Sequence, residues 1–133
     1  MIVTKAEQLL ALTRDRRKSL KLESRSLAGV AGVSKKFLSQ LENLKVSVEL
    51  DSLIKVTHSL GLLIPVLDDP NTMAMVIKTR RKELQLEQAV AASLCNVSPR
   101  FLSSLENGKP KKRLNKVFDV LNALAIEVEV ISK

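Results

Sequence analysis

One stretch of eleven residues occurs twice in this chain. Residues 97–107 read VSPRFLSSLEN, and residues 33–43, which lie 64 positions earlier, read VSKKFLSQLEN. Aligned at that offset without a gap, residues 16–62 and 80–126 share 19 identities over 47 positions. Stacked repeats are usually shorter, about 20 to 50 residues, and occur in three or more copies. The duplication therefore predicts two small domains rather than a solenoid.

The duplication divides the 133 residues into two parts, which we call the first half (1–69) and the second half (70–133). Domains of about 65 residues lie near the lower limit for a self-sufficient core, so each half is expected to need its neighbour. The connection around Asp68, Asp69 and Pro70 lacks the Gly/Ser composition of a flexible linker. We therefore expect two tandem domains that pack closely together.

The charge of the chain favours a polyanionic partner. The net charge is +8, and the second half is the more basic, with eleven Lys or Arg against six Asp or Glu (+5), compared with eleven against eight (+3) in the first half. The chain has no Trp, no Tyr and three Phe. Single strands and unpaired RNA bases stack on aromatic side chains, so this composition favours double-stranded DNA.

Several classes of protein are disfavoured. The sequence has no apolar run of about 18 residues, and MIVTKAEQLL carries charges where a signal peptide needs an apolar stretch, which predicts a cytoplasmic protein with no membrane association. The single Cys95 cannot form a disulfide within the chain, and His58 is the only histidine. Without a nucleophile elbow, a phosphate-binding glycine loop or a His/Cys cluster, we predict no enzyme activity, no cofactor and no metal.

Each half has the pattern of a mainly helical domain. A capping box formed by Thr4 and Glu7 predicts a first helix to about Leu20, with a counterpart beginning near Asp69 or Asn71. Two short apolar-periodic segments joined by a tight turn follow in each half. A further amphipathic helix follows each pair. The short segments are 23–31 and 34–43 in the first half, and 87–95 and 98–107 in the second.

The two halves end in segments of a different kind, LLIPVLDD at 62–69 and IEVEVISK at 126–133. The second alternates apolar and acidic residues with the period of a strand, and neither segment is predicted to be helical. Pro65 restricts the first to a sheet edge. We predict that 62–67 pairs antiparallel with 126–131, either within one chain or between two chains.

The paired short helices have the features of a helix-turn-helix. A small residue, Ala28 or Ala92, stands where the two helices cross closely. Gly32 and Asn96 occupy the turn and tolerate positive φ, and a serine follows that can cap the second helix. In these features each half resembles the XRE, or Cro/CI-type, helix-turn-helix domains. The resemblance implies two tandem lambda-repressor-like domains, each with four to five helices and a short terminal strand.

In such a domain the second helix of the pair lies in the major groove, and residues near its N-terminus contact base edges. We call segments 34–43 and 98–107 the recognition helices. The residues that this placement predicts to read bases are Lys35, Lys36, Gln40, Arg100 and Ser104. Arg and Lys can bond guanine, and Gln can bond adenine.

The same resemblance predicts phosphate contacts in the second half. A Gln often begins the first helix of the pair, and a glycine ends the recognition helix before a basic loop. The residues that match are Gln88, Asn107, Lys109, Lys111, Lys112 and Arg113. The first half departs from this pattern, with Ser24 in place of the Gln and Leu44 in place of the glycine. The first half is therefore expected to bind phosphate more weakly than the second half.

Residues 97–130, from VSPRF to the alternating IEVEV, also resemble HipB-like regulators. Those proteins are antitoxins encoded beside kinase-type toxins, and they pair a terminal strand across a homodimer. The sequence thus favours a sequence-specific DNA-binding transcriptional regulator that acts as a repressor. The alternative is an antitoxin that binds a protein toxin and regulates its own operon. In that alternative the first half serves mainly to bind a toxin or a second regulator.

Overall fold

The computed structural model describes all residues, 1–133, and is mainly helical, as the sequence predicts. The elements in chain order are β1 (Ile2–Val3), α1 (Ala6–Ser19), α2 (Ser24–Ala31), α3 (Lys35–Glu42), α4 (Leu50–Ser59), β2 (Leu62–Leu63), α5 (Pro65–Asp68), α6 (Pro70–Glu83), α7 (Gln88–Leu94), α8 (Pro99–Glu106), α9 (Leu114–Ala123), β3 (Val128–Glu129) and β4 (Ile131–Ser132). None of the nine helices combines the length and the apolar composition that crossing a bilayer requires.

The first residues of the two long helices are fixed by side chains that satisfy free backbone N–H groups. At α1 the Gln8 Oε1 atom accepts from the backbone N–H of Thr4 at 2.8 Å and of Lys5 at 3.1 Å. The predicted capping box of Thr4 and Glu7 is therefore wrong by one residue, because Lys5 precedes the helix and Gln8 reaches back. At α6 the Asp69 carboxylate accepts from Asn71 N at 3.2 Å, which confirms the predicted start.

The two predicted helix pairs are present as α2–α3 and α7–α8. The turn residues Gly32 and Asn96 have φ of 75° and 58°, in the left-handed region that glycine and asparagine tolerate best. The hydroxyl of Ser34 accepts from the third residue of α3 at 2.9 Å, and that of Ser98 from the third residue of α8 at 3.0 Å. The sequence prediction of both turns and both caps is confirmed.

A part-buried ion pair joins the first long helix of each half to the recognition helix. Arg17 donates to both carboxylate oxygens of Glu42 at 2.6 and 2.8 Å, and Arg81 donates to both oxygens of Glu106 at 2.7 and 2.9 Å. These bonds raise the pKa of both arginines. Such bidentate pairs fix the orientation of two planar groups, so they hold each recognition helix against the long helix.

The two halves share one hydrophobic core. A single cluster of 33 buried residues includes Leu9 and Leu53 from the first half and Ile77 and Phe118 from the second. Helices α1 and α9 are in contact, and the side-chain amide of Asn122 donates to Thr4 O at 2.9 Å. The two halves thus pack closely together, as the short connection predicts, and the need of each half for its neighbour stays a prediction.

The terminal segments pair antiparallel within the chain, one of the two predicted alternatives, but over only two residues of each segment. Strand β2 pairs antiparallel with β4, Leu62 opposite Ser132 and Leu63 opposite Ile131. Strand β3 pairs with β1, which the sequence analysis missed. A two-residue strand such as Ile2–Val3 has no periodicity to detect, and only its partner across the core defines it.

The prediction that the first terminal segment has no helix is wrong for its second part. Residues Pro65–Asp68 form the short helix α5, with the proline at the first helical position. Proline is preorganised there because its fixed φ is helical and its missing N–H is not needed. The Asp68 carboxylate accepts from Ile64 N at 2.9 Å and satisfies one of the free donors. Pro65 therefore starts a helix rather than bordering a sheet.

Candidate nucleic-acid interface

The first turns of the recognition helices carry exposed cations. Lys35 and Lys36 are the first two residues of α3 and are exposed, and Arg100 is the second residue of α8 and is exposed. Lys36 and Arg100 are equivalent at the 64-residue offset. Because the three side chains are exposed, they can reach a ligand that lies along the helix N-termini.

The two other predicted base-reading residues are less accessible. Gln40 is half-buried, and Ser104 is half-buried and accepts a hydrogen bond from the Nζ of Lys112. The same ammonium lies 5.5 Å from the centroid of the Phe101 ring, within the range of a cation–π contact. Phe101 and its counterpart Phe37 are half-buried and pack against the core, which supports a structural role for both rings.

Lys112 differs in its surroundings from the other cations of the basic loop. Burial lowers its pKa, and the nearby charge of Lys109 lowers the pKa further. Lys109 and Lys111 are exposed on the same loop. The predicted set of phosphate-contacting lysines therefore divides into two exposed side chains and one that is held against α8.

Gln88 begins α7, as predicted, and its side chain is hydrogen-bonded to the ion pair of Arg81 and Glu106. Its Nε2 donates to Glu106 Oε1 at 3.4 Å, and the same oxygen accepts from Arg81. Asn107 ends α8 and is exposed, and Gly108 after it has φ of 74°. Leu44 holds the equivalent position in the first half with φ of 62°, where a side chain is strained.

The loops that follow the two recognition helices meet each other. Leu50 N donates to Lys112 O at 2.8 Å, and Leu114 N donates to Val48 O at 2.9 Å. Residues 50 and 114, like 48 and 112, are 64 positions apart, so the two bonds are exchanged as they are across a two-fold axis. Glu49 and Arg113, also equivalent, form the antiparallel bridge between them. No local pattern in the sequence marks this contact.

The last cation of the basic loop lies on the opposite half. Arg113 Nη1 donates to the carbonyl oxygen of Ser47 at 2.8 Å, and the side chain is exposed. Sequence reasoning grouped Arg113 with the loop lysines of the second half. The structure instead places Arg113 beside the first half. It lies immediately before α9, where the two loops are in contact.

The remaining chemically active side chains do not converge on this surface. Cys95 is buried, and burial together with the charge of Asp119 raises the pKa of its thiol. The Nε2 atom of His58 lies 3.1 Å from Asp68 Oδ1 on the first half. No group of three or more His, Cys, Asp or Glu is placed to hold a metal ion.

Comparisons with known proteins place this geometry in a family. A helix-turn-helix family model, HTH_3, matches residues 77–131, a range that holds α7, α8 and α9. A protein of Sinorhizobium fredii (strain NBRC 101917 / NGR234), called uncharacterized HTH-type transcriptional regulator y4mF, is 32% identical over 63 residues. The match covers 47% of this chain and 83% of that relative. The chain belongs to the HTH_3 helix-turn-helix family.

Proposed function

We propose that the chain is a cytoplasmic, sequence-specific double-stranded DNA-binding transcriptional regulator built from two tandem helix-turn-helix domains, residues 1–69 and 70–133. Helices α3 and α8 enter successive major grooves, where Lys35, Lys36 and Arg100 reach base edges. Bound in this way, the protein represses transcription by occupying DNA that the transcription machinery needs.

The observation that carries the proposal is the exchanged pair of backbone bonds between the loops, Leu50 to Lys112 and Leu114 to Val48. Symmetric dimers of helix-turn-helix proteins hold two recognition helices about 34 to 36 Å, or one DNA turn, apart. The exchanged bonds, the paired ion pairs and the shared core support the same arrangement within one chain. A relative that aligns over 83% of its length with less than half of this chain also supports a duplicated unit.

The two halves carry different side chains at equivalent positions, so we expect two different half-sites. Lys36 is equivalent to Arg100, and Gln40 to Ser104. Selecting bound duplexes from a random pool tests the proposal: a site with two unlike halves is expected. A palindromic site would instead require a homodimer that uses one half from each chain, and light scattering on the free protein would then show two chains.

Arg100→Ala is expected to weaken binding to the selected site by about 1 to 3 kcal/mol and to relax preference at one base pair. The matched variant Lys36→Ala is expected to cost less, because the first half has Lys45 and the neighbouring Arg113 at its loop, whereas the second half has Lys109, Lys111 and Lys112. Binding titrations with the selected and base-substituted duplexes measure both. Unchanged preference in Arg100→Ala would remove Arg100 from base reading.

The exposed and half-buried lysines of the basic loop should differ in their dependence on salt. Lys111→Ala is expected to flatten the slope of log K against log salt by about 0.9, the value for one phosphate contact. Lys112→Ala is expected to change the slope less, because its ammonium is bonded to Ser104 and lies over Phe101. Equal changes in slope would show that Lys112 turns outward to phosphate in the complex.

A second candidate function is favoured by the apolar surface of the first half. Val30 on α2 is 79% exposed, and Leu20 and Leu22, which precede α2 in the chain, are also exposed. A HipB-like antitoxin would use such a surface to hold a protein toxin or a second regulator. No binding to duplex DNA, or binding with no salt dependence, would favour a purely protein-binding role over both the regulator and an antitoxin that regulates its own operon.

A further inference from the structure

The loop after the first recognition helix is short of positive charge. Residues 44–48 read LKVSV and contain one cation, Lys45, whereas 108–113 read GKPKKR and contain four. Phosphate contacts hold a recognition helix in register on the duplex. A first half that relied on its own loop would hold α3 more weakly than the second half holds α8.

The second half places a cation where the first half lacks one. A cleft of about 140 Å³ lies between α3 and the loop that follows it, and its lining includes Phe37, Gln40 and Lys45. Arg113 of the second half also lines this cleft. Phe37 and Gln40 belong to α3, so Arg113 lies beside the recognition helix of the opposite half. Gln40 is also a predicted base-reading residue.

The geometry of Arg113 leaves it able to bind a phosphate. One nitrogen, Nη1, donates to Ser47 O, and that bond fixes the guanidinium against the first half. The other N–H groups have no partner within the protein, and the side chain is exposed. A guanidinium presents its donors in a planar fork that suits phosphate oxygens.

The carboxylate of Glu49 lowers the positive charge of this cleft. Glu49 lines the same cleft and is exposed, and its backbone pairs with that of Arg113, but the two side chains form no ion pair. With Lys45 and Arg113 present, the cleft keeps a net charge of +1. Arg113 is the residue of the second half that is equivalent to Glu49, and it carries the opposite charge.

We propose that Arg113 is a phosphate-binding residue of the first half-site: it is contributed by the second half and it replaces a loop cation that the first half lacks. The inference rests on the proposed function, because it concerns contacts within the same DNA complex. It makes the two halves interdependent, since α3 is held on DNA partly by a residue from the other half.

The test compares two duplexes and two variants of the full chain. One duplex carries the whole selected site, and the other ends before the half-site of α3. The two half-sites are told apart with Arg100→Ala, because the base pair at which this variant relaxes preference lies in the half-site of α8. Arg113→Gln is compared with Lys111→Gln, which makes the same charge change at an exposed position of the same loop. Circular dichroism melting checks that both variants fold.

On the whole site, each variant is expected to bind about eightfold more weakly at 0.1 M salt, which is the factor for one contact with a slope of 0.9. On the shortened duplex, Arg113→Gln is expected to bind as the unaltered protein does, while Lys111→Gln still loses about eightfold. Equal loss by Arg113→Gln on both duplexes, or no loss on either, would overturn the inference.

A third variant separates phosphate binding from the bond to Ser47. Arg113→Lys keeps the charge and loses the planar fork, so it is expected to keep the salt slope of the unaltered protein and to lose only part of the affinity. A loss as large as that of Arg113→Gln would show that the bond to Ser47, not contact with phosphate, matters for binding. Failure of the unaltered protein to bind any duplex would instead refute the proposed function, and the inference with it.

Discussion

Replacing Arg81 by methionine is expected to lower the free energy of unfolding by about 3 to 5 kcal/mol, because the change leaves a buried carboxylate without its partner. The Glu106 side chain is 4% exposed and accepts two hydrogen bonds from Arg81. After the substitution only the 3.4 Å bond from Gln88 remains to it. Urea unfolding followed by circular dichroism measures the loss.

The matched variant is Arg17→Met in the first half, whose pair with Glu42 has the same geometry but greater exposure, 14% and 16%. Water can reach that carboxylate after the substitution, so a smaller loss is expected. The double variant Arg81→Met with Glu106→Leu is expected to recover most of the stability, because no charge is then buried. A loss of less than about 1 kcal/mol for Arg81→Met, as for exposed pairs, would contradict the prediction.

Phe118→Ala is expected to cost about 3 to 5 kcal/mol, because it removes a ring that is 3% exposed from the core that both halves share. Small domains have a total stability of about 5 to 15 kcal/mol, so the loss is a large fraction of it. Because the core is continuous, both halves are expected to unfold together and at a lower urea concentration. Amide hydrogen exchange in α2 and in α7 reports on the two halves separately.

Ile54→Ala is the matched variant in the first half, since residues 54 and 118 are equivalent at the offset of 64. Ile54 is 8% exposed, and its replacement is expected to cost about 2 to 5 kcal/mol, again with one joint transition. If Phe118→Ala lowered protection in α7 and left α2 unchanged, the halves would be independent folding units. The shared core would then contribute little to cooperativity.

Local sequence signals were sufficient for the helix pairs and their turns. Ser34 and Ser98 cap helices because a hydroxyl can accept from a free backbone N–H two or three residues on, and this needs no distant partner. Gly32 and Asn96 fit the turn because they tolerate positive φ. The exposed cations at the first turns of α3 and α8 follow from the same local signals, since the caps fix where each helix begins.

The surroundings of the candidate site depended on residues that are distant in sequence. Lys109, Lys111, Lys112 and Arg113 are alike as a run of basic residues, yet two are exposed, one lies over Phe101, and one crosses to Ser47. Each placement follows from the contact between the loops, whose backbone bonds from Leu50 to Lys112 and from Leu114 to Val48 join residues 62 and 66 positions apart. A charge run in the sequence carries no information about such a contact.

The sequence by itself determined that the chain contains the same helix-turn-helix pattern twice, because capping, turn conformation and apolar periodicity are local properties. Only the tertiary structure decided how the terminal segments pair, that Pro65 begins a helix, and which half each loop cation lies against. Two-residue strands and loop contacts derive their stability from packing across the shared core, and that packing joins residues as far apart as Val3 and Val128.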